Sequence, residues 1–381
     1  MEEIKFRFHV LGLPHTKTNK DFIHCAHTQN VLKFCKMMTD NGHTVFHYGH
    51  GDSKTAATEN VTVISNDVWD KVYGNHDITK KFFTFSSNDE AYQTFFKNTI
   101  EEIGKRKEKN DFVLAFWGNG VRPICDAHND LLIVEPTIGY PGGMFAPYKV
   151  FPAYSMLHAY YGLNGVSDCN WGNYDIVIPH YFDLNEFEYN ENKSDYFLFI
   201  GRIYDGKGMN IALQVAEATG IKLKIAGQFS PDYENYDWPD YVEVVGFADV
   251  NERKTLMRDA KGCFFASQYA EPFGKVLVES LLSGTPAIST DWGAFTETNI
   301  HGVTGYRCRT FNDYVEAVTS IKNGDISSRD CRNHGEKYSM ENIRPQYEDY
   351  FRKVYDIANN KGWYEIWNKE NCTESWLKIN Q

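Results

Sequence analysis

Short apolar runs alternate with helix-length amphipathic stretches in two successive series along this chain. That pattern admits few folds other than parallel sheets covered by helices. In the first series, residues 6–11, 44–48, 61–64, 112–116, 131–134 and 175–178 read as strands. A polar loop at 12–21 leads into a helix ending near residue 41, and 87–109 reads as a second helix. The Lys, Arg and Glu run that closes the second helix reads as a solvated face. A second series begins near residue 196, with strands at 196–200, 222–226, 241–245, 263–266 and 286–289. Between the series lies 183–195, acidic, Asn-rich and without a period, which is where a linker is expected. Two such open α/β sheets facing one another leave a cleft at the C-terminal ends of their strands.

The last stretch, 343–379, reads as helical, with Trp363 and Trp367 on one face and Trp376 beyond them, so this tail is expected to dock. The domain expectation is therefore 1–190, 191–345 and a helical segment 346–381.

Composition narrows the function. The 381 residues carry 42% apolar and 15% aromatic side chains, enough for two globular cores and against disorder. A formal net charge of −12 argues against a stable nucleic-acid complex, which needs a basic face. No basic amphipathic segment suggests a membrane surface. The start, Met1-Glu2-Glu3-Ile4-Lys5, lacks the form of a secretory signal. No apolar run approaches the roughly 20 residues of a spanning helix. The eight cysteines are scattered without C-x-x-C pairs and read as reduced thiols, so the expected location is cytoplasmic.

The most informative segment is Gly201-Arg202-Ile203-Tyr204-Asp205-Gly206-Lys207-Gly208. A strand ends in glycine, and a glycine-flanked lysine stands just before a helix at 211–219. Glycines there let the backbone approach a ligand, the helix start favours an anion, and two cations suit a diphosphate. An ordinary βα loop with two surface cations fits this segment equally well. Further on, Glu271-Pro272-Phe273-Gly274 precedes a helix at 275–282 that carries Glu279 among apolar neighbours. A buried carboxylate needs partners, and a vicinal diol such as a ribose offers two donors. A salt bridge or a solvated helix face explains Glu279 as well.

Taken in order, these motifs resemble the nucleotide-binding domain of retaining glycosyltransferases of family 4 (glycosyl transferases group 1), which have the GT-B fold. The resemblance rests on Gly201-Arg202 with Lys207-Gly208, Ala226-Gly227, Gly246-Phe247, Glu271 and Glu279 with seven residues between them, and Trp292-Gly293 followed by Glu297. It spans about residues 201–308 and departs from the family in having Trp292 where a glycine is usual. It implies a GT-B fold in which the C-terminal helix returns to the N-terminal domain. It also implies a metal-independent enzyme moving a hexose from a nucleotide-diphosphate sugar, a UDP-sugar first, to a carbohydrate-type or other hydroxyl acceptor. Arg202, Lys207 and Glu271 are then the catalytic candidates, the two cations holding the diphosphate. Gly201, Gly227, Gly246, Phe247, Phe273, Gly274 and Glu279 are donor-binding candidates, with Glu279 on the ribose. No cofactor other than the donor is implied.

The first half resembles the family less. Gly12, His15, Thr16 and Thr18 sit in the loop after the first strand, where relatives cover the donor phosphates and the acceptor, which makes Gly12 and Thr16 donor-binding candidates and His15 an acceptor-side one, although a polar surface loop fits too. Glu135 and His158 are acceptor-side candidates, and a core or surface histidine is the plainer reading of His158. No D-x-D pair occurs to hold a metal-bound diphosphate, and His24/His27 and Cys331/His334 complete no four-ligand set. Rival readings are a transferase acting on a modified nucleic-acid base, a phosphorylase or epimerase of the same fold, and a non-catalytic sugar-nucleotide binder.

Overall fold

The computed structural model of the chain describes residues 4–23, 25–74, 83–140, 142–163, 172 and 174–359. The alternation resolves into two all-parallel sheets. The first contains β1 (Arg7–Leu11), β2 (Thr44–His50), β3 (Glu59–Ile64), β4 (Phe112–Leu114), β5 (Leu132–Glu135), β6 (Tyr148–Phe151) and β7 (Ile176–Val177). Its order is β3-β2-β1-β4-β5-β6-β7. Helices α1 (Ala26–Thr39), α2 (Asn66–Tyr73), α3 (Glu90–Arg106), α4 (Arg122–Ala127) and α5 (Tyr154–Leu163) connect these strands.

The second sheet contains β8 (Phe197–Ile200), β9 (Leu223–Ala226), β10 (Val242–Gly246), β11 (Gly262–Phe265), β12 (Ala287–Thr290) and β13 (Gly305–Cys308) in the order β10-β9-β8-β11-β12-β13. With it run α6 (Met209–Thr219), α7 (Val250–Asp259), α8 (Lys275–Leu282), α9 (Phe295–Thr298), α10 (Phe311–Asn323) and α11 (Ser328–Gly335).

Local chemistry explains these bounds. Strands β4, β8 and β11 are buried along their whole length, as parallel strands covered on both faces must be. Asp89 caps α3 by accepting from the Tyr92 amide at 2.8 Å, and Asp249 with Glu252 forms a capping box on α7. Gly220 and Gly324 end α6 and α10 in the left-handed conformation that glycine adopts without penalty.

Two strands were not read from the sequence. β6 begins with the half-buried Tyr148 and Lys149, and β13 is an edge strand whose Tyr306 and Arg307 are only half buried. Neither makes the apolar run by which the others are recognised.

The halves are tied by two crossings of the chain. Phe182 and residues 338–340 pair there, with Phe182 N donating to Tyr338 O at 2.9 Å and Met340 N to Phe182 O at 3.0 Å. The second crossing opens α12 (Met340–Asn359), which returns to the first sheet. Its Phe351 ring lies 4.8 Å from that of Phe8 and 5.0 Å from that of Phe112. The Trp363, Trp367 and Trp376 expectation lies outside the described residues.

In each sheet the strand order reverses between two neighbours, β1 and β4 in the first and β8 and β11 in the second. Loops leaving the two strands at such a switch point diverge to opposite faces and open a crevice. Here the two crevices meet in one cleft of about 1150 Å³, lined by His15 and Trp117 from one side and by Arg202 and Ser267 from the other.

Candidate functional site

The wall from the second half is built by glycines that permit close backbone approach. Gly201 ends β8 at φ +144° and Gly227 ends β9 at φ +149°. A Cβ on Gly227 would sit 1.6 Å from the Gly201 carbonyl oxygen, so no side chain fits there. Gly208 opens α6 at φ +78°, where a Cβ would fall 2.1 Å from the Ala266 oxygen. Arg202, Lys207, Gly201 and Gly227 all line the cleft. The Arg202 guanidinium lies 5.7 Å from the Tyr204 ring centroid.

Lys207 forms an ion pair with Glu271, whose Oε1 also accepts from Ser267 Oγ at 2.7 Å. Glu271 is 8% exposed, so the lysine and the hydroxyl compensate a carboxylate largely removed from water. The Lys207 ammonium is also 5.0 Å from the centroid of the Tyr269 ring. The Trp292 departure leaves the critical glycine intact. It is Gly293 that adopts φ +60°, with room for a Cβ denied by the Glu271 amide nitrogen at 2.7 Å. Trp292 Nε1 donates instead to the Tyr269 carbonyl at 3.3 Å.

Glu279, one turn into α8, is paired. Arg253 Nη2 from α7 donates to its Oε2 at 2.5 Å, which matches the salt-bridge alternative, and the residue lines the cleft. Phe247, Phe273 and Gly274 also line the cleft, whereas Gly246 lies just behind it, its carbonyl accepting from Gly227 N at 2.7 Å. Phe273 packs at the crossing between the halves, its ring 4.8 Å from that of His180.

On the first half, His15 and Thr16 line the cleft. His15 Nδ1 is 2.9 Å from Tyr92 Oη, its ring stacks on Phe85 at 4.1 Å, and Trp117 Nε1 donates to the same tyrosine at 3.1 Å. Four other candidates lie elsewhere, among them Thr18, whose Oγ1 is 3.1 Å from His47 Nε2. Gly12 is packed against β2, its amide donating to Tyr48 O at 2.9 Å. Glu135 is fully buried and accepts from Tyr140 Oη, Phe145 N and Ala146 N, each at 2.9 Å, so it holds its own loop and does not line the cleft. His158 is exposed on α5, 6.1 Å from the Tyr154 ring, away from the cleft. Glu135 looks cleft-directed in sequence because it ends a buried strand, and only the loop geometry decides where it points, whereas for His158 the plainer reading, a surface histidine, is the one that holds.

Sequence reasoning passed over Arg253, Lys33, Lys275 and His180 and set His27 aside as structural, yet all five line the cleft. Lys275 follows the glycine of the first glutamate motif, and its position at a helix start was the one available signal. His24 lies outside the described residues. Among the described residues no group of three or more His, Cys, Asp or Glu side chains is arranged to hold a metal ion, and no helix is long and apolar enough to cross a membrane.

Two facing Rossmann-like sheets, a cleft at their switch points and a last helix returning to the first sheet together define the GT-B architecture. Residues 182–338 match the family model described as glycosyl transferases group 1. The chain is 26% identical over 197 residues to an uncharacterised glycosyltransferase of Methanocaldococcus jannaschii, covering 50% of this chain and 55% of that protein. It is 30% identical over 111 residues to sucrose synthase 2 of Tulipa gesneriana, covering 29% of this chain and 13% of that enzyme. These matches thus span about half or less of each relative's length. Among solved structures, Anabaena HepE in complex with UDP-glucose superposes with a TM-score of 0.64 at 14% identity, over 91% of this chain and 99% of that one.

Proposed function

We propose that the chain is a retaining, metal-independent glycosyltransferase of family 4. It would move a hexose from a nucleotide-diphosphate sugar, UDP-hexose first, to a hydroxyl acceptor of carbohydrate type. One observation carries the reading: Arg202, Lys207, Glu271, Glu279 and Gly227 all line one cleft, within the segment that matches the glycosyltransferase family model. The organisation proposed with it is a 1–190 acceptor-side domain, a 191–345 donor domain and a 346–381 returning segment.

In this reading Arg202 and Lys207 hold the diphosphate at the start of α6. As the bond from the sugar carbon to the phosphate oxygen breaks, negative charge grows on the leaving diphosphate, and both cations gain interaction energy. The acceptor hydroxyl adds on the same face, and its proton passes to the leaving phosphate oxygen, so no protein nucleophile is required. Glu271 faces the transferred sugar, and binding of the diphosphate draws Lys207 away from it. Glu279 takes the ribose hydroxyls on the oxygen that Arg253 leaves open.

The test is turnover of UDP-glucose and GDP-mannose in the presence of a chelator, with the anomeric configuration of the product read by NMR. Sugar release or transfer from UDP-glucose with retained configuration supports the reading. An absolute requirement for a divalent cation, or inverted product, would overturn its mechanism.

A further inference from the structure

The motif that ends in Glu297 has no part in the donor contacts described above. Glu297 sits half-buried on α9 of the second half, and its carboxylate reaches α5 of the first half. Its Oε2 accepts from the Tyr154 amide at 2.9 Å and its Oε1 from the Ser155 amide at 2.8 Å. Those two amides open α5, where the backbone offers no partner within the helix. The residue before them is Ala153, whose methyl group cannot accept a hydrogen bond. The cap that a serine or aspartate ordinarily supplies locally thus comes from the other half of the molecule, and the helix start favours its negative charge.

Both ends of this contact lead to the cleft. The segment before α9 is built onto the Glu271 loop, Ala294 N donating to Glu271 O at 3.0 Å. On the other side, Met156 of α5 shares a buried cluster with Ile138 and Phe151. Ile138 stands between Thr137 and Gly139, two residues of the cleft wall. Thr137 is fully buried at φ +55°, a conformation that a β-branched residue keeps only when its surroundings impose it. Its Oγ1 accepts from Asn30 Nδ2 at 3.3 Å, and Asn30 Oδ1 in turn accepts from Lys275 Nζ at 2.8 Å. The 137–139 turn is therefore held both by Asn30 and by the packing of α5.

We propose that Glu297 is a positioning residue, which sets the 137–139 wall of the first half against the sugar that Glu271 faces and so aligns the attacking hydroxyl. The inference rests on the nucleotide-sugar reading above and adds to it the contact that keeps the two halves in register. Glu297 does not itself line the cleft and acts through α5. A misplacement of about 1 Å between reacting groups costs on the order of a hundredfold in rate, so a small slip of this contact is enough to be seen.

The experiment separates positioning from capping. Glu297→Ala removes both, whereas Glu297→Ala with Ala153→Ser returns a cap from within the first half, serine being a preferred residue there and close to alanine in size. Three quantities are read on the full chain: hydrogen exchange at the start of α5, the radius of gyration by small-angle scattering, and steady-state hydrolysis of UDP-glucose. Exchange should rise roughly fivefold in Glu297→Ala, the loss of one cap, and return to the wild-type rate in the double variant. The radius should exceed that of the wild type in both variants. In both, kcat should stay down roughly tenfold or more. Donor KM should hold within about twofold, because the proposed donor contacts of the second half are untouched.

Recovery of kcat in the double variant overturns the proposal, since Glu297 is then a cap and nothing more. So does a donor KM that rises as much as kcat falls, or an unchanged radius in Glu297→Ala. Where serine restores no protection, or the wild type binds UDP without hydrolysing UDP-glucose, that radius decides the proposal by itself. Failure of the wild type to bind UDP would instead overturn the nucleotide reading.

Discussion

Arg253 on α7 and Glu279 on α8 meet at 2.5 Å, so the carboxylate proposed for the ribose is oriented before any donor arrives. A carboxylate offers about four lone-pair directions, and one guanidinium nitrogen does not exhaust them. Glu279→Gln keeps the shape but loses charge-assisted hydrogen bonds worth about 1.5–3 kcal/mol. Donor KM should rise roughly ten- to a hundredfold at nearly constant kcat, because ribose contacts do not change during the reaction. Arg253→Ala should raise donor KM less, since it removes only the orienting partner. A normal donor KM in Glu279→Gln would remove the ribose assignment.

Lys207 should respond differently. Its charge matters most when the diphosphate leaves, so Lys207→Ala should lower kcat by roughly a hundredfold and raise KM less. The same change strips Glu271 of its ion-pair partner, leaving the Ser267 and Tyr269 hydroxyls to serve a carboxylate that is 8% exposed. Thermal denaturation should therefore show destabilisation of about 1–3 kcal/mol, largely relieved in the Lys207→Ala/Glu271→Gln double variant. Equal loss of stability in the single and double variants would mean that the pair is not coupled.

Gly227 and Gly220 separate steric exclusion from backbone strain. Gly220 adopts φ +63° with open space around it, so Gly220→Ala should cost about 1 kcal/mol of strain alone. Gly227→Ala adds a collision with the Gly201 carbonyl and should cost on the order of 3 kcal/mol or more, as well as distorting the diphosphate loop. Denaturant midpoints for the two variants provide the comparison, and similar values would show that β8 and β9 can part without penalty.

Stability should fall on the acid side. His27, His47 and His50 are held to about 4, mainly by burial. Between their ordinary value near 6.5 and about 4, the unfolded chain binds protons that the folded chain refuses, so stability is full above this window and declines through it. Lys275 acts in a higher window. Its folded value near 7 lies below the unfolded one, so the folded form disfavours its charge and stability rises with pH from about 7 towards 10.5. Melting temperatures against pH test both windows. Lys275→Met should be the more stable protein at neutral pH and lose that advantage in alkali.

The second half was the more legible in sequence because its loops need particular residue types. Gly201, Gly208, Gly227 and Gly274 occupy positive φ, and only glycine fits the closest approaches. Such requirements appear as motifs. The two sheets were legible for a related reason, since strands buried on both faces must be uninterrupted apolar runs. What escaped were the meetings of side chains from distant parts of the chain. Lys275 with Asn30 and Arg253 with Glu279 follow from how elements are stacked, and nothing local in either partner announces the other. Glu135 shows the converse, because a carboxylate after a buried strand looks functional until its three donors are found within its own loop.

The helix α12 completes the first sheet's core with Phe351 and Tyr347, although it is among the last described segments to leave the ribosome. Domains ordinarily fold as units from the N-terminus while synthesis continues. Here the apolar surface over Phe8, Phe34 and Phe112 must wait until the whole second half has been made. The nascent N-terminal half is thus an unfinished body with an exposed aromatic face, and synthesis that stalls before residue 340 should leave a species prone to aggregation.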